Sequence, residues 1–425
     1  MSIQGSSYYE ATAAVCKGRP QLVGDHTTDI CIIGGGFTGA SAALHLAQAG
    51  YQVTLLEAHT IGWGASGRNG GQICQGHNMG HAEMVKKVGK DTADILWQTS
   101  VNSVAMVKNL VAQYSIDCDL TPGVLHVASK KSHIDEIQQA VDYKRNTLGY
   151  EGVRFLDASA VADKLGTEQY FGGEYYQEGA HLHPLNFVLG LAKAAESHGA
   201  TLYEHSPVVE YTDDKHPVIS TAKGRVTCRY VLFACNGYLG HLNAPAARKI
   251  MPINNFIIAT EPLPEELVKR INPDRVAVAD SKFVVNYYRL SRDNRMLWGG
   301  GENYSARFPR DIASFVKKHM VAAYPELAQY RIDHAWGGTL AITLNRMPNL
   351  CRQKDNVFVA QGYSGHGVAM ATYAGAMFAK AVQGSLEETD AFERLPSRDF
   401  PGGTLLRWPG LVAGMLYYSM LDRLP

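Results

Sequence analysis

Apolar positions group most sharply near the N-terminus. Ile30-Cys31-Ile32-Ile33 is an unbroken apolar run, and so is Val53-Thr54-Leu55-Leu56 but for one threonine; between them an Ala/Leu-rich stretch ends at Gly50. Short continuous runs flanking a helical stretch predict two buried strands joined by a helix over 29–57. Over 81–115, Met84, Val88, Ile95, Val104, Val107 and Val111 recur at helical spacing and predict one long helix. Apolar runs at 124–128, 153–156, 200–203, 208–211, 217–221 and 230–234 predict strands. Helices are predicted over 132–148 and 185–198, closed by Gly149 and Gly199. Residues 253–300 read as strand-rich, most clearly at 284–290 and 296–298, and 310–323 as a helix. A last strand at 357–360 leads through a glycine-rich turn into a helix over 365–383 that is apolar nearly all round, as a helix buried on every side is.

Alternating α/β segments interrupted by antiparallel-looking strand blocks predict an α/β fold class. A Rossmann-like dinucleotide domain is expected from 1–80, 150–245 and 330–425. It is interleaved with an α+β substrate domain from 81–149 and 246–329, built on a mainly antiparallel sheet. The chain has 425 residues, 46% hydrophobic and 19% charged, enough for two cores. Forty basic residues balance forty acidic ones, which gives no reason to expect nucleic acid or an anionic membrane as partner. The first twenty residues hold no apolar leader, and no run nears the roughly 18 apolar residues of a membrane span. A cytoplasmic protein without transmembrane segments is expected, its short apolar run at 411–420 docked on the surface. The seven cysteines are scattered without a CxxC pair, which favours reduced thiols over disulfides or zinc.

The turn between the first strand and helix carries chemistry. Gly34 permits a tight exit from the strand, Gly36 lets backbone approach a pyrophosphate, and Gly39 lets helix and strand pack closely. Phe37 and Thr38 open the helix, whose N–H groups and dipole suit phosphate; the Thr38 hydroxyl is expected to join them. Glu57 and Ala58 end the second strand, where a carboxylate accepts from ribose hydroxyls. That acid does not separate NAD from FAD, since both carry an adenosine ribose. A glycine-rich loop follows at 62–72, and its Ser66, Gly67, Arg68, Asn69, Gly70, Gly71 and Gln72 suit a cofactor continuing past the pyrophosphate. The distant turn Gly365-His366-Gly367-Val368 opens a buried helix with bare N–H donors, which suit the polar edge of a flavin ring. His366 is also a candidate for exchanging protons with an amine, given an ordinary pKa near 6.5. Tyr288, Trp298 and Trp336 are candidates for an aromatic wall, and Arg289 or Arg346 for a carboxylate clamp. Next to Pro184, His181 and His183 read as structural or substrate-side groups rather than metal ligands.

These residues, in this order, resemble the D-amino-acid oxidase (DAO) superfamily of flavoproteins. One branch, the gamma-glutamylputrescine oxidases, is similar along nearly the whole chain. The likeness runs through Ser6-Ser7-Tyr8-Tyr9, 64–72, 181–186, Tyr287-Tyr288-Arg289-Leu290, 293–301, 362–367 and Phe400-Pro401-Gly402-Gly403. The resemblance implies an FAD-binding domain of the GR2/DAO type, with Val209 in the adenine strand and Gly237 on the cofactor's path. It implies oxidation of a primary amine by hydride transfer to the flavin, imine hydrolysis to aldehyde and ammonia, and reoxidation by oxygen or another acceptor. The implied substrate is a small-molecule amine of the gamma-glutamylputrescine kind, from putrescine catabolism. Sarcosine-type members tether flavin through a cysteine near the segment 336–340. None lies there, so the resemblance implies noncovalent FAD. Those members also place a lysine beside the flavin where Trp298 stands here. Other amine- or amino-acid-oxidising members, and a flavin-binding redox sensor without catalysis, remain open on sequence alone, as does the oligomeric state.

Overall fold

A computed structural model describes residues 7–282, 284–303, 308–404 and 407; the apolar run at 411–420 lies outside them. The unit at 29–57 forms the middle of a six-stranded sheet. Across it run Asn349–Lys354, Val357–Gln361, Tyr230–Phe233, Ile30–Ile33, Val53–Leu56 and Thr201–Tyr203. All pairs are parallel except the first, at one edge. Every residue of Ile30–Ile33 is buried because both faces are covered. Ile30 and Ile32 pack under the helices Phe37–Gln48 and Gly367–Val382. Cys31 and Ile33 pack instead against a small four-stranded sheet carrying Ile219 and Val226. The two helices approach closely: a Cβ on Gly375 would lie 2.5 Å from the backbone of Thr38 and Ala42.

The second sheet has nine strands. Ile332–Ile342, Met251–Thr260, Met296–Asn303, Tyr287–Leu290, Ala277–Asp280, Thr121–Val127, Gly172–His181 and Gln72–Ile73 follow in order, and Val153–Asp157 also pairs with Gly172–His181. All pairs are antiparallel except Ala277–Asp280 with Thr121–Val127. The segments 150–245 and 330–425, expected wholly in the dinucleotide domain, therefore place their strands at 153–157, 172–181 and 332–342 in this sheet.

One row across the register reads Glu174, His126, Ala279, Tyr287, Gly299, Ile257 and Trp336. Side chains of directly paired residues share a face, so this row marks the face turned toward the loop at 62–72. The opposite face carries Leu125, Val278, Tyr288, Trp298 and Ile258, packed under the helix Ile312–Ala323.

Two elements differ from expectation. The helix expected over 81–115 is two, His81–Val88 and Lys90–Gln113, broken where Gly89 takes φ +81°, ψ 164°, which no helix can include. The strand expected from 284 begins at Tyr287, because Asp280 holds the preceding turn by accepting from the backbone N–H and side-chain Nδ2 of Asn286 (2.9 and 2.8 Å). Among the described residues no helix is long and apolar enough to cross a membrane.

Candidate functional site

The first turn is shaped by what its glycines exclude. Gly34 has φ +111°, and a Cβ there would sit 2.7 Å from the Ala234 carbonyl oxygen. At Gly39 a Cβ would fall 1.9 Å from the Gly34 oxygen, and at Gly36 2.7 Å from Ser66 Oγ. The helix Phe37–Gln48 starts at Gly36 with no side-chain cap of its own. Ser66 Oγ accepts from the Phe37 N–H at 3.0 Å, so the loop reaches back to this helix end. Glu57 accepts from the N–H groups of Gly35 (2.7 Å) and His59 (2.8 Å). Burial pushes its carboxyl above the ordinary range, against the pull of those donors. Ala58 is exposed on the rim.

Two further residues of this end have their own surroundings. The Thr38 hydroxyl, buried, bonds the Tyr363 hydroxyl at 2.7 Å and so ties the start of its helix to the turn before the other. Val209 is 64% exposed on the strand Val208–Tyr211, while its neighbour Val208 packs on the core beside Leu56. Strand alternation turns the Val209 side chain outward and leaves its backbone, the part implied to meet adenine, in the strand. Gly237 lies in a short 3-10 turn, where a Cβ would stand 3.0 Å from the Leu340 oxygen.

The loop at 62–72 is held mainly by its own side chains. Asn69 Nδ2 donates to the Ala65 and Ser66 oxygens (3.0 and 2.9 Å), and its Oδ1 accepts from the Gly71 N–H at 2.7 Å. At Gly71 a Cβ would fall 2.0 Å from the Leu182 oxygen, and at Gly67 2.2 Å from that of Gly62. Gln72 Nε2 donates to Val278 O at 2.9 Å. Arg68 Nε donates to Trp63 O (2.9 Å) and Nη2 to Glu10 (2.5 Å), while Nη1 is buried without a partner.

Residues expected beside the substrate brace this loop or fill the core. Trp336, fully buried, donates through Nε1 to Arg68 O at 3.0 Å. Arg289 is 3% exposed, and its guanidinium donates to Gly70 O (2.8 Å), Leu182 O (3.0 Å) and the Tyr9 hydroxyl (3.2 Å). A guanidinium committed to the carbonyls of Gly70 and Leu182 is not a carboxylate clamp. Tyr288 and Trp298 stack at 4.3 Å between ring centres, 4° between planes, on the face away from the loop. They are core, and the position where the resemblance implied a lysine in sarcosine-type members faces away from the loop at 62–72. His181 Nε2 donates to Arg275 O at 2.7 Å, and His183 Nδ1 accepts from the Asn186 N–H at 3.1 Å. Arg346 sits in a turn at φ +60°.

The face toward the loop brings together residues that sequence reading missed. Tyr287 fits beside two glycines: a Cβ on Gly70 would lie 2.8 Å from its ring and one on Gly299 2.1 Å. Its hydroxyl donates to Asn255 Oδ1. The helix Gly367–Val382 starts at His366 with no side-chain cap, behind the exposed Gly365 (φ +95°) and ahead of the buried Val368. His366 Nδ1 is buried with no partner. Burial, and then the neighbouring His126, push His366 down to about 4. Burial also pushes His77 and His126 to about 4; His77 further feels His366, and its Nε2 donates to Leu96 O at 2.8 Å. These imidazoles come from three distant segments, and His366 lies close enough to feel His126 and to be felt by His77. The signal for Tyr287 was strand alternation, with the wrong phase chosen; no local pattern marked His77 or His126.

Two helix starts without a cap of their own, a glycine cradle that any Cβ would fill, the unpartnered Arg68 Nη1 donor and the unpartnered His366 Nδ1 all fit a long anionic cofactor with a polar ring edge. The family model described as "DAO: FAD dependent oxidoreductase" matches residues 29–381. The chain belongs to the DAO family of FAD-dependent oxidoreductases. Within this family it is 39% identical over 426 residues to the gamma-glutamylputrescine oxidoreductase of Escherichia coli (strain K12), covering 100% of both chains. It is 38% identical to the probable oxidoreductase OrdL of Rhizobium meliloti (strain 1021), covering 99% of this chain and 98% of that one. In fold, this DAO member is similar to the crystal structure of glycine oxidase from Geobacillus kaustophilus, with TM-score 0.72, 21% identity, and 84% and 95% of the two chains covered.

Proposed function

We propose that this enzyme oxidises the terminal primary amine of gamma-glutamylputrescine, or a closely related polyamine conjugate, to an aldehyde and ammonia. The observation that carries this reading is the 39% identity over both full lengths to the E. coli gamma-glutamylputrescine oxidoreductase. FAD, when bound, supplies the two-electron acceptor for the amine's C–H bond, and oxygen is the proposed terminal acceptor, giving peroxide.

The chain's own part is placement and proton control. Gly34, Gly36 and the start of the helix at Phe37 would hold the pyrophosphate, and Glu57 the ribose. The loop from Ser66 to Gln72 and the turn from Gly365 to Val368 would hold the ring. An amine gives up hydride only when neutral. His366 offers Nδ1, without a protein partner and on a ring kept neutral by burial, to accept a hydrogen bond from the amine as it sheds its proton. Tyr287 on the same face orients the aliphatic chain. We also propose that FAD is held without a covalent bond. Burial pushes the thiol of Cys235 up to about 12 and that of Cys351 to about 11, keeping both protonated and poorly nucleophilic. The cofactor domain is proposed to comprise 1–80, 150–245 and 330–425, less the strands these lend to the nine-stranded sheet.

The test is anaerobic bleaching of the flavin by gamma-glutamylputrescine, putrescine, spermidine, glycine, sarcosine and D-alanine. The conjugate is expected to bleach fastest at the lowest concentration; faster reduction by glycine, sarcosine or D-alanine would overturn the substrate assignment. Acid precipitation that carried the yellow colour into the pellet would overturn noncovalent binding.

A further inference from the structure

The sheet face that carries Tyr287 also buries a pair of opposite charges. Tyr287 pairs with Ala279, Ala279 with His126, and His126 with Glu174, so these residues share one face. Glu174 is 7% exposed. Lys144, from the helix Ile134–Asn146, donates through Nζ to Glu174 Oε1 and, at 2.7 Å, to the Tyr176 hydroxyl. Tyr176 meets His126 edge to face, with ring centres 5.5 Å apart. Taking a lysine and a carboxylate out of water together costs about what their attraction returns, and an apolar pair of equal volume is commonly as stable. Such a pair on the interior face, beside the imidazoles, points to a ligand with matching charges.

Length agrees with this. Three strand spacings separate Tyr287 from Glu174, about 14 Å of backbone. In an extended gamma-glutamyl amide of putrescine, eight bonds separate the reacting carbon from the glutamyl Cα, about 10 Å. The Lys144 and Glu174 side chains span the remainder.

We propose that Lys144, Tyr176 and Glu174 form the subsite for the free α-amino-acid end of a γ-glutamyl amide. Lys144 and Tyr176 take its carboxylate and Glu174 its ammonium. Each protein charge exchanges part of its partner for the ligand's opposite charge, so none is left unpaired. The identification of the tail rests on the amine-oxidase reading above.

The experiment compares gamma-glutamylputrescine with N-butanoylputrescine, which has a similar reacting end without the two tail charges. The proteins are wild type, Lys144→Met, Glu174→Gln and the apolar pair Lys144→Met with Glu174→Leu. The last keeps the fold testable should a lone buried charge destabilise the single variants. A parallel readout is the Kd of γ-glutamyl-butylamide, which lacks the reacting amine, followed by perturbation of the flavin absorbance. For the conjugate, KM is expected to rise about 30-fold or more in Lys144→Met with kcat within about twofold, the scale of a lost buried charge contact. The butanoyl substrate is expected to stay within about twofold in every variant, and the Kd of the butylamide to rise with KM. If both substrates weaken together, or neither does, the subsite is refuted. If wild type binds the butylamide but other amines reduce the flavin better, the substrate reading fails while the subsite stands. If wild type fails to bind the butylamide, the subsite fails whatever amine is oxidised.

Discussion

The two faces of the nine-stranded sheet are made from the same strands and do opposite things. On one, Tyr288 and Trp298 stack flat against each other under the helix Ile312–Ala323, within an apolar cluster. On the other, one residue away, Tyr287 lies beside Gly70 and Gly299, and Arg289 spends its donors on the carbonyls of Gly70 and Leu182. A strand shows its neighbours to opposite faces, so a shift of one position exchanges core for site. Aromatic content alone does not tell a substrate wall from a packed interior. What tells them apart here is the company: glycines, imidazoles and a charge pair on one side, Leu, Ile and Met on the other.

The largest expected effect comes from cutting the tie between the Tyr287 face and the loop. Arg289→Ala leaves Gly70 O, Leu182 O and the Tyr9 hydroxyl without their donor and should cost about 4 kcal/mol. Urea unfolding checks the cost, and gel filtration should show flavin lost. Full retention of flavin with only a raised KM for the glutamyl conjugate would return Arg289 to the substrate. On the other face, Trp298→Ala should cost about 3–4 kcal/mol by opening a cavity. Its flavin content and KM should nonetheless match wild type; a changed KM would break the division between faces.

Acid should give the next largest effect. Burial, and then Arg289, push His181 to about 3 and His183 to about 4. A lowered folded pKa means the unfolded chain binds the proton first. Stability is therefore full above about pH 6.5 and declines as pH falls toward 4. The Tm of wild type between pH 7 and pH 5 should drop more steeply than that of His181→Gln, and equal slopes would exclude His181 as a source. The smallest effect is expected from Tyr287→Phe. Losing the bond to Asn255 should cost about 1 kcal/mol, while the anaerobic bleaching rate falls several-fold. An unchanged rate would remove Tyr287 from the substrate's surroundings.

Much of this was legible in the sequence, for identifiable reasons. The glycines at 34, 36 and 39 mark contacts with backbone and side chain that admit no Cβ, so spacing alone located the cradle. The helix Gly367–Val382 was readable because it is buried all round. The phase of the strand Tyr287–Leu290 was not, since Tyr287-Tyr288 offers an aromatic to each face. Arg289 looked like a ligand group because a lone arginine in an apolar strand demands partners; those partners are carbonyls from residues 70 and 182, which no local pattern connects to it. His77, His126 and His366 meet only through the tertiary fold.

The short helix Tyr8–Thr12 adds a consequence in time. Tyr8 donates to Asp293 at 2.6 Å and Tyr9 accepts from Arg289, across 285 and 280 residues of sequence, while Glu10 braces Arg68. The ribosome releases these tyrosines first and their partners only after about two thirds of the chain. Contacts closed over so long a loop form late in folding. The loop at 62–72 is therefore expected to be fixed only once the strand at 287–290 is made, with the helix Tyr8–Thr12 as a latch that shuts late.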